Sequence, residues 1–229
     1  MFKFESSETA ELPTQVQLQG LTAPMRIKTN KILAGKYLEM AESICDIKYT
    51  LYRELPIELL EVNGEVPEFE IVSAMGNTLI EDELVELKKQ MSEFVYNSVQ
   101  LPDGYVSNLA DNYLAFKKAI TGRDWRLYRV RREREIIALL MIISFDIHPV
   151  LNCRAEQIGY FGIDPAVKNV ELRRAIKNCF HSEINAGILN GTIISTAIDH
   201  WNWRSLRHRL NNSRFNIHSV LFSKKKICV

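Results

Sequence analysis

The spacing of apolar residues along the chain favours helices over strands. Pro56 ends the first apolar stripe, because a residue that precedes proline is pushed out of helical geometry. The second stripe follows the sequence TLIE at residues 78–81, where a threonine and a glutamate three positions apart can cap a first helical turn. Four-residue spacing of apolar side chains is found in four segments: residues 30–55, 78–95, 106–120 and 165–189.

The longest apolar run is IIALLMII at residues 136–143, and it is apolar on every side. A helix with this pattern is normally buried in a core. A buried strand would have a similar composition, but leucine and methionine favour helix over β-structure. We therefore expect a central core helix at about residues 136–145, with its neighbours packed around it and the basic segment 123–134 emerging at the surface.

The two ends of the chain lack helical periodicity. Short alternating stretches around Val16 and Leu18, interrupted by Gly20 and Pro24, predict a short β-hairpin or an extended arm. Residues 215–222 are a candidate short C-terminal strand. Neither an internal repeat nor a linker composition is visible. The predicted fold is mainly α, with three parts: an arm at residues 1–29, a single helical domain at 30–210 and a basic tail at 211–229.

Length and composition fit a globular protein. The chain has 229 residues, of which 46% are apolar and 25% charged, so a wholly disordered chain is excluded. The longest apolar run is far shorter than the roughly 20 residues that span a bilayer, and the acidic N-terminus does not resemble a signal peptide. The four cysteines contain no CxxC pair. We expect a soluble cytoplasmic protein with reduced cysteines and no membrane partner.

Charge is distributed unevenly, although the net charge is only +1. Residues 1–115 hold 9 basic and 19 acidic side chains, whereas residues 116–229 hold 20 basic and 9 acidic ones. The acidic excess lies in residues 54–93, and the basic excess lies in residues 117–134 and in the acid-free stretch after His200. A basic face attracts polyanions, such as nucleic acid or an acidic protein surface. Alternatively, the acidic half packs against the basic half, or both are ordinary solvated faces.

No motif in the chain indicates a cofactor or a metal ion. A phosphate-binding GxxxxGK[ST] loop, a dinucleotide GxGxxG motif and a GxSxG nucleophile elbow are all absent from the sequence. The best candidate metal ligands are Cys179, His181 and Glu183, with Cys153 or His200 as a further ligand. Zinc usually takes two close ligand pairs, and only one is present. We predict neither a cofactor nor a metal.

One segment has the residue types of a catalytic thiol triad. His148, Asn152 and Cys153 lie close together in sequence, with Pro149 between them. A thiol nucleophile needs its base nearby in three dimensions, and closeness in sequence is weak evidence for that. We interpret this segment as a loop, and we predict no catalytic residues.

Interleaved basic and aromatic residues are the strongest functional signal. They occur as RDWRLYRVRRER at residues 123–134 and as HWNWRSLRHRLNNSRFNIH at residues 200–218. Arginines neutralise phosphates and exposed aromatic rings stack on bases, although the tryptophans could equally anchor the core. The prediction is a non-catalytic, DNA-binding or other nucleic-acid-binding protein. Its predicted contact residues are Arg126, Arg129, Arg132, Trp203, Arg204, Arg207, Arg209, Lys224, Lys225 and Lys226.

Two other classes of function stay open. The first is a protein–protein adaptor or assembly chaperone that works through the acidic 54–93 region and the basic tail. The second is an enzyme with an active site that no motif reveals, because a pocket of perturbed titratable groups cannot be recognised from sequence. The residues identify no family, no particular partner and no oligomeric state.

Overall fold

An eight-stranded sheet forms the centre of the protein, which the computed structural model describes at residues 11–98, 109–186 and 193–225. The strands are β1 (Met25–Lys28), β2 (Cys45–Glu54), β3 (Glu70–Met75), β4 (Trp125–Arg132), β5 (Glu135–Phe145), β6 (Ala155–Ile163), β7 (Ile193–Asp199) and β8 (Asn216–Lys224). Their order across the sheet is β1-β8-β2-β7-β6-β5-β4-β3. Neighbouring strands are antiparallel, except that β6 and β7 are parallel.

Helices pack on both faces of this sheet. The helices within the described ranges are α1 (Gln15–Gln19), α2 (Gly35–Ile44), α3 (Glu81–Ser98), α4 (Leu109–Ile120), α5 (Val170–Ala186) and α6 (Trp203–Arg207), and a π-helical turn (His208–Asn212) follows α6. Leu87 and Met91 of α3 share one core cluster with Leu127, whereas Ile176 and Phe180 of α5 belong to the larger cluster on the other face. None of the helices described is long and apolar enough to cross a membrane.

The predicted central helix is wrong, because residues 136–145 lie in strand β5. This strand pairs with β4 on one side and β6 on the other, and the core clusters cover both of its faces. Residues 137–143 are therefore all buried. A strand that is apolar on both faces loses its two-residue alternation and has the same composition as a buried helix. The fold is a mixed α/β sheet and not mainly α.

Two other segments depart from the predicted helices. The apolar stripe of residues 30–55 is divided between α2 and β2, which begins at Cys45 immediately after the helix. The basic segment 123–134 is strand β4 followed by a turn. The candidate C-terminal strand at 215–222 coincides with β8. The predicted domain boundaries at 29/30 and 210/211 both fall between elements of this one sheet, and residues 1–10 of the predicted arm lie outside the described residues.

Candidate active site between two parallel strands

The parallel strands β6 and β7 separate towards their carboxyl ends. They pair only from Ala155 to Ile158 of β6, although β6 continues to Ile163, and no further pair between them exists in the described residues. On its other side, β6 shifts register against β5 so that Gly159 is the extra residue of a bulge. We call the gap between residues 159–163 and 197–199 the wedge. In α/β sheets, ligands bind beyond the carboxyl ends of the strands.

Small and aromatic residues shape the β6 side of the wedge. A Cβ atom on Gly159 would lie 2.5 Å from Cε of Met141, so this position has no room for a side chain unless Met141 moves. The hydroxyl of Tyr160 donates a hydrogen bond to the main-chain oxygen of Met91 at 3.0 Å. Burial raises the pKa of Tyr160 well above its usual value, so it stays protonated. Tyr160 therefore anchors α3 to the strand beside the bulge.

Arg209 lies buried against an aromatic residue of the wedge. Arg209 is only 3% exposed to solvent. Its guanidinium carbon lies 4.7 Å from the ring centre of Phe161 and 5.5 Å from that of Phe215. Nη1 has no hydrogen-bond partner among the described residues. Burial lowers the pKa of Arg209 to about 10, so the group remains positively charged at pH 7.

Three more basic groups surround Arg209. Burial, together with the positive charges of Arg209 and Lys177, lowers the pKa of His181 to about 4 and that of His208 to about 3. Burial and neighbouring arginines also lower the pKa of Lys177. In the described part of the chain, both ring nitrogens of His181 lack a hydrogen-bond partner. The same is true of Nε2 of His208. We call Lys177, His181, His208 and Arg209 the basic cluster.

The amino end of α5 follows β6 directly, but its polar groups are already engaged. Oδ1 of Asn169 accepts a hydrogen bond from the main-chain N–H of Leu172 at 2.9 Å. The carboxylate of Glu171 accepts one from the main-chain N–H of Asn63 at 2.8 Å and pairs with Arg174 at 2.7 Å. A free helix amino end is a ready anion site. Here Asn169 caps the N–H of Leu172, and the Glu171 carboxylate adds a negative charge beside the helix end.

A strap formed by residues 55–63 runs along α5. Asn185 bonds both the N–H and the C=O of Ile57, at 2.8 and 2.9 Å. Asn178 does the same for Leu60, at 2.7 Å in both bonds. These asparagines and Glu171 are seven residues apart, which is about two helical turns, so they lie on one side of α5. The strap thereby covers one flank of α5 from its carboxyl end at Asn185 to its amino end at Glu171.

A polar network lies at the other end of β6, where it pairs with β7. Glu156 binds Nη2 of Arg126 at 3.1 Å and accepts a hydrogen bond from Ser144 at 3.0 Å. The side chains of Arg126, Ser144 and Glu156 are all partly buried. This ion pair joins three adjacent strands, because Arg126 is in β4, Ser144 in β5 and Glu156 in β6. Arg126 and Ser144 thus provide partners for the carboxylate of Glu156, which is the acidic residue of β6 and lies close to the wedge.

His148 is a structural residue and not a catalytic base. Its Nδ1 accepts hydrogen bonds from the main-chain N–H groups of Val150 and Leu151, both at 3.2 Å. The ring proton is therefore assigned to Nε2, which lies 3.1 Å from Oγ of Ser195. A nitrogen that carries the proton cannot accept one from serine. Burial raises the pKa of the Cys153 thiol, so this segment also holds no activated thiolate.

The residues predicted to contact nucleic acid lie on separate elements. Arg126 is paired with Glu156, and Arg209 is in the basic cluster, whereas Lys226 lies outside the described residues. The remaining ones are Arg129 and Arg132 in β4, Trp203, Arg204 and Arg207 on the exposed side of α6, and Lys224 and Lys225 at the end of β8. His181 was considered above only as a metal ligand, and its position one helical turn from Lys177, beside an apolar stripe, is the sequence signal for this cluster. Within the described ranges, no three histidine, cysteine or acidic side chains converge as metal ligands.

Comparison with known proteins gives structural matches alone. No protein-family model and no curated protein matches the chain. A tandem GNAT protein from the clavulanic acid biosynthesis pathway matches with a TM-score of 0.51 and 9% identity over 88% of this chain, which spans 64% of that protein. A conserved protein of unknown function from Staphylococcus epidermidis matches with a TM-score of 0.49 and 10% identity. The match covers 94% of this chain and 82% of that protein. A putative acetyl transferase from Pyrococcus furiosus matches with a TM-score of 0.42 and 16% identity. The match covers 61% of this chain and 91% of that protein.

These matches contradict the predicted function. The chain was expected to be a helical, non-catalytic binding protein for nucleic acid, or otherwise an adaptor or assembly chaperone, and not an enzyme. The tandem GNAT protein has a similar mixed α/β architecture, and at 9% identity this likeness shows the fold alone. The comparisons test neither the individual arginines and lysines nor the predicted partner. The described chain has a mixed α/β fold similar to that of the tandem GNAT protein.

Proposed function

We propose that the chain is an acyltransferase that binds an acyl thioester in the wedge. The observation that carries this proposal is the early end of pairing between β6 and β7, together with the bulge at Gly159. Among the described residues, the main-chain groups of residues 159–163 thereby have no strand partner on the β7 side. An extended ligand that contains amide groups can bind to such an open edge as an added strand does. The amide-containing pantetheine arm of an acyl thioester has this chemistry.

Acetyl-CoA is the first donor to consider, because the tandem GNAT protein with the similar fold is described in its form without acetyl-CoA. The wedge fits its pantetheine arm, but the amino end of α5 does not fit its diphosphate. Asn169 already caps the N–H of Leu172, and no glycine lies between residues 163 and 186 to let a phosphate approach the main chain. The Glu171 carboxylate would also repel a phosphate. The donor's nucleotide therefore contributes little binding at this helix end.

The residues around the wedge suit binding better than proton abstraction. Main-chain N–H groups at a bulge can donate to the carbonyl oxygen of a thioester, where negative charge develops during acyl transfer. His181 and His208 are neutral at pH 7, but their pKa values of about 4 and 3 make them weak bases. We therefore assign the wedge a role in holding and polarising the acyl group.

The proposal is tested with two donors that share the same arm. Acetyl-CoA and S-acetyl-pantetheine are each incubated with the protein and a panel of primary amines, and the release of free thiol is followed. We expect amine-dependent release from both donors, with KM values within about tenfold, because the nucleotide is not held at α5. Release from neither donor would contradict the transferase proposal.

Variants at the amino end of α5 supply the matched control. Glu171→Gln removes the carboxylate and should lower KM for acetyl-CoA while leaving KM for S-acetyl-pantetheine unchanged. Glu183→Gln removes the same charge a little over three turns further along the helix and should change neither value. Equal KM changes for both donors in Glu171→Gln would show that this residue acts on the wedge and not on phosphate binding.

A cytoplasmic location belongs to the proposal as well. Cys45, Cys153 and Cys179 are free thiols in the structure. Reduced cysteines are usual inside cells, where disulfides are rare. Fractionation of cells that produce the tagged protein would test the location, and recovery with a membrane or extracellular fraction would contradict it.

A further inference from the structure

Arg209 is a buried cation for which the described residues provide no anion. A guanidinium has five N–H donors, and those of Arg209 form no ion pair and no hydrogen bond with the described chain. The rings of Phe161 and Phe215 supply cation–π contacts, which compensate for lost hydration only in part. A methionine or leucine would fill the same space at a lower cost in stability. Packing alone therefore does not account for an arginine at this position.

The local backbone directs this side chain inwards. Arg209 belongs to the π-helical turn His208–Asn212, in which an extra residue is accommodated in the turn. The main-chain oxygen of Arg209 accepts a hydrogen bond from the N–H of Phe215 at 2.9 Å, and this bond ties the turn to β8. Turns of this kind occur often at functional sites. The turn thus holds the guanidinium against the wedge residue Phe161.

The groups beside Arg209 are those expected around a bound anion. His181 lies on α5 with a residue exposure of 2%, and its ring centre is 6.5 Å from that of Phe161. A neutral imidazole carries one N–H donor, so His181 and His208 can each donate one hydrogen bond. Lys177 adds positive charge. These groups form no ion pair with a carboxylate in the described ranges.

We propose that the basic cluster binds one small anionic group of a substrate, either a carboxylate or a phosphate. The planar guanidinium of Arg209 would bind two of its oxygens, since this geometry matches both groups. Contact with Phe161 places the anion next to the wedge, so the rest of the substrate extends towards the acyl group. The inference rests on the proposed function for the identity of the substrate, but not for the anion site itself.

The closed cluster requires an opening step before a ligand can enter. Nη1 of Arg209 is inaccessible to water, and the main chain of Glu58 in the strap lies beside the His181 ring. Because Glu58 belongs to the strap, displacement of the strap from α5 would uncover the His181 ring. Equilibrium measurements after long incubation are therefore appropriate, because they do not depend on the rate of entry.

The test is thermal unfolding of the full chain in acetate, inorganic phosphate or chloride at matched ionic strength. For the wild type, we expect a saturable rise in Tm of several degrees with acetate or with phosphate, beyond the effect of chloride. The responding anion identifies the source of the charge as carboxylate or phosphate. Arg209→Met should abolish this rise, and Arg207→Met, on the exposed side of α6, should leave it intact. No rise in the wild type, or an equal rise in Arg209→Met, would overturn the proposal.

Two further measurements keep the test decisive. If Arg209→Met does not fold, Arg209→Lys replaces it, because lysine keeps the charge but loses the two-pronged geometry and should show a smaller Tm rise. An unchanged rise in Arg209→Lys would count against the proposal. Thiol release from acetyl-CoA and S-acetyl-pantetheine is measured on the same samples. An anion-dependent Tm rise without thiol release contradicts the transferase proposal alone, and thiol release without a Tm rise contradicts the anion site alone.

Discussion

Acidification from pH 7 to pH 5 should destabilise the protein through its buried histidines. Burial, with the charges of Arg209 and Lys177, lowers the pKa of His181 to about 4 in the folded state, against 6.5 for an exposed histidine. The unfolded chain therefore binds the proton more tightly. The contribution of neutral His181 to stability is fully present above pH 6.5, and it is lost progressively as the pH falls from 6.5 towards 4.

The size of the effect follows from the two pKa values. At pH 5, His181 is almost entirely protonated in the unfolded chain and mostly neutral in the folded one, so unfolding becomes easier by about 2 kcal/mol. This corresponds to a fall of roughly 1 M in the urea midpoint. Burial also lowers the pKa values of His148, His200, His208 and His218, so their effects have the same direction.

Urea unfolding of the wild type and of His181→Gln at both pH values isolates the contribution of one ring. Glutamine does not titrate, so the loss of stability between pH 7 and pH 5 should be about 2 kcal/mol smaller in the variant. His200→Gln is the control with a smaller expected change, because Glu42, 3.4 Å from the His200 ring, favours its protonated form. An equal loss in the wild type and in His181→Gln would refute the reasoning.

Two further predictions concern packing and the strap. Gly76→Ala would place a Cβ 1.9 Å from the Trp125 ring, so urea unfolding should show a loss of about 2–3 kcal/mol. Gly20→Ala, whose Cβ would lie 3.3 Å from its nearest atom, should cost clearly less, and equal losses would contradict this account. Asn185→Ala removes both bonds to Ile57, so amide exchange in the strap should accelerate while the sheet stays protected. Unchanged exchange there would show that Asn185 does not hold the strap.

Helices could be predicted where one of their faces is polar. The stripes at 78–95 and 165–189 overlap α3 and α5, because each helix has one apolar face against the sheet and a polar face outwards. Strand β5 could not be predicted, because both of its faces are buried and its composition matches a buried helix equally well. The basic stretch at 123–134 was misinterpreted for a related reason. In strand β4, alternate side chains point to opposite faces, which separates its arginines.

The candidate site depends on contacts that the sequence pattern does not contain. Lys177 and His181 are one helical turn apart and could have been noticed, but only the fold brings Phe161 and Arg209 to them. The wedge itself is defined by hydrogen bonds that β6 and β7 do not make. No residue type marks such an absence. The bulge at Gly159 is visible only once the register between β5 and β6 is known.

Hydrogen–deuterium exchange with a bound donor tests the central claim most directly. Peptides that cover residues 159–163 and 197–199 are compared in the free protein and at saturating S-acetyl-pantetheine. An acyl thioester in the wedge should slow exchange in both peptides and leave the β4–β5 hairpin unchanged. Unchanged exchange at residues 159–163 at all donor concentrations, or protection confined to other parts of the chain, would contradict the wedge as the acyl-binding site.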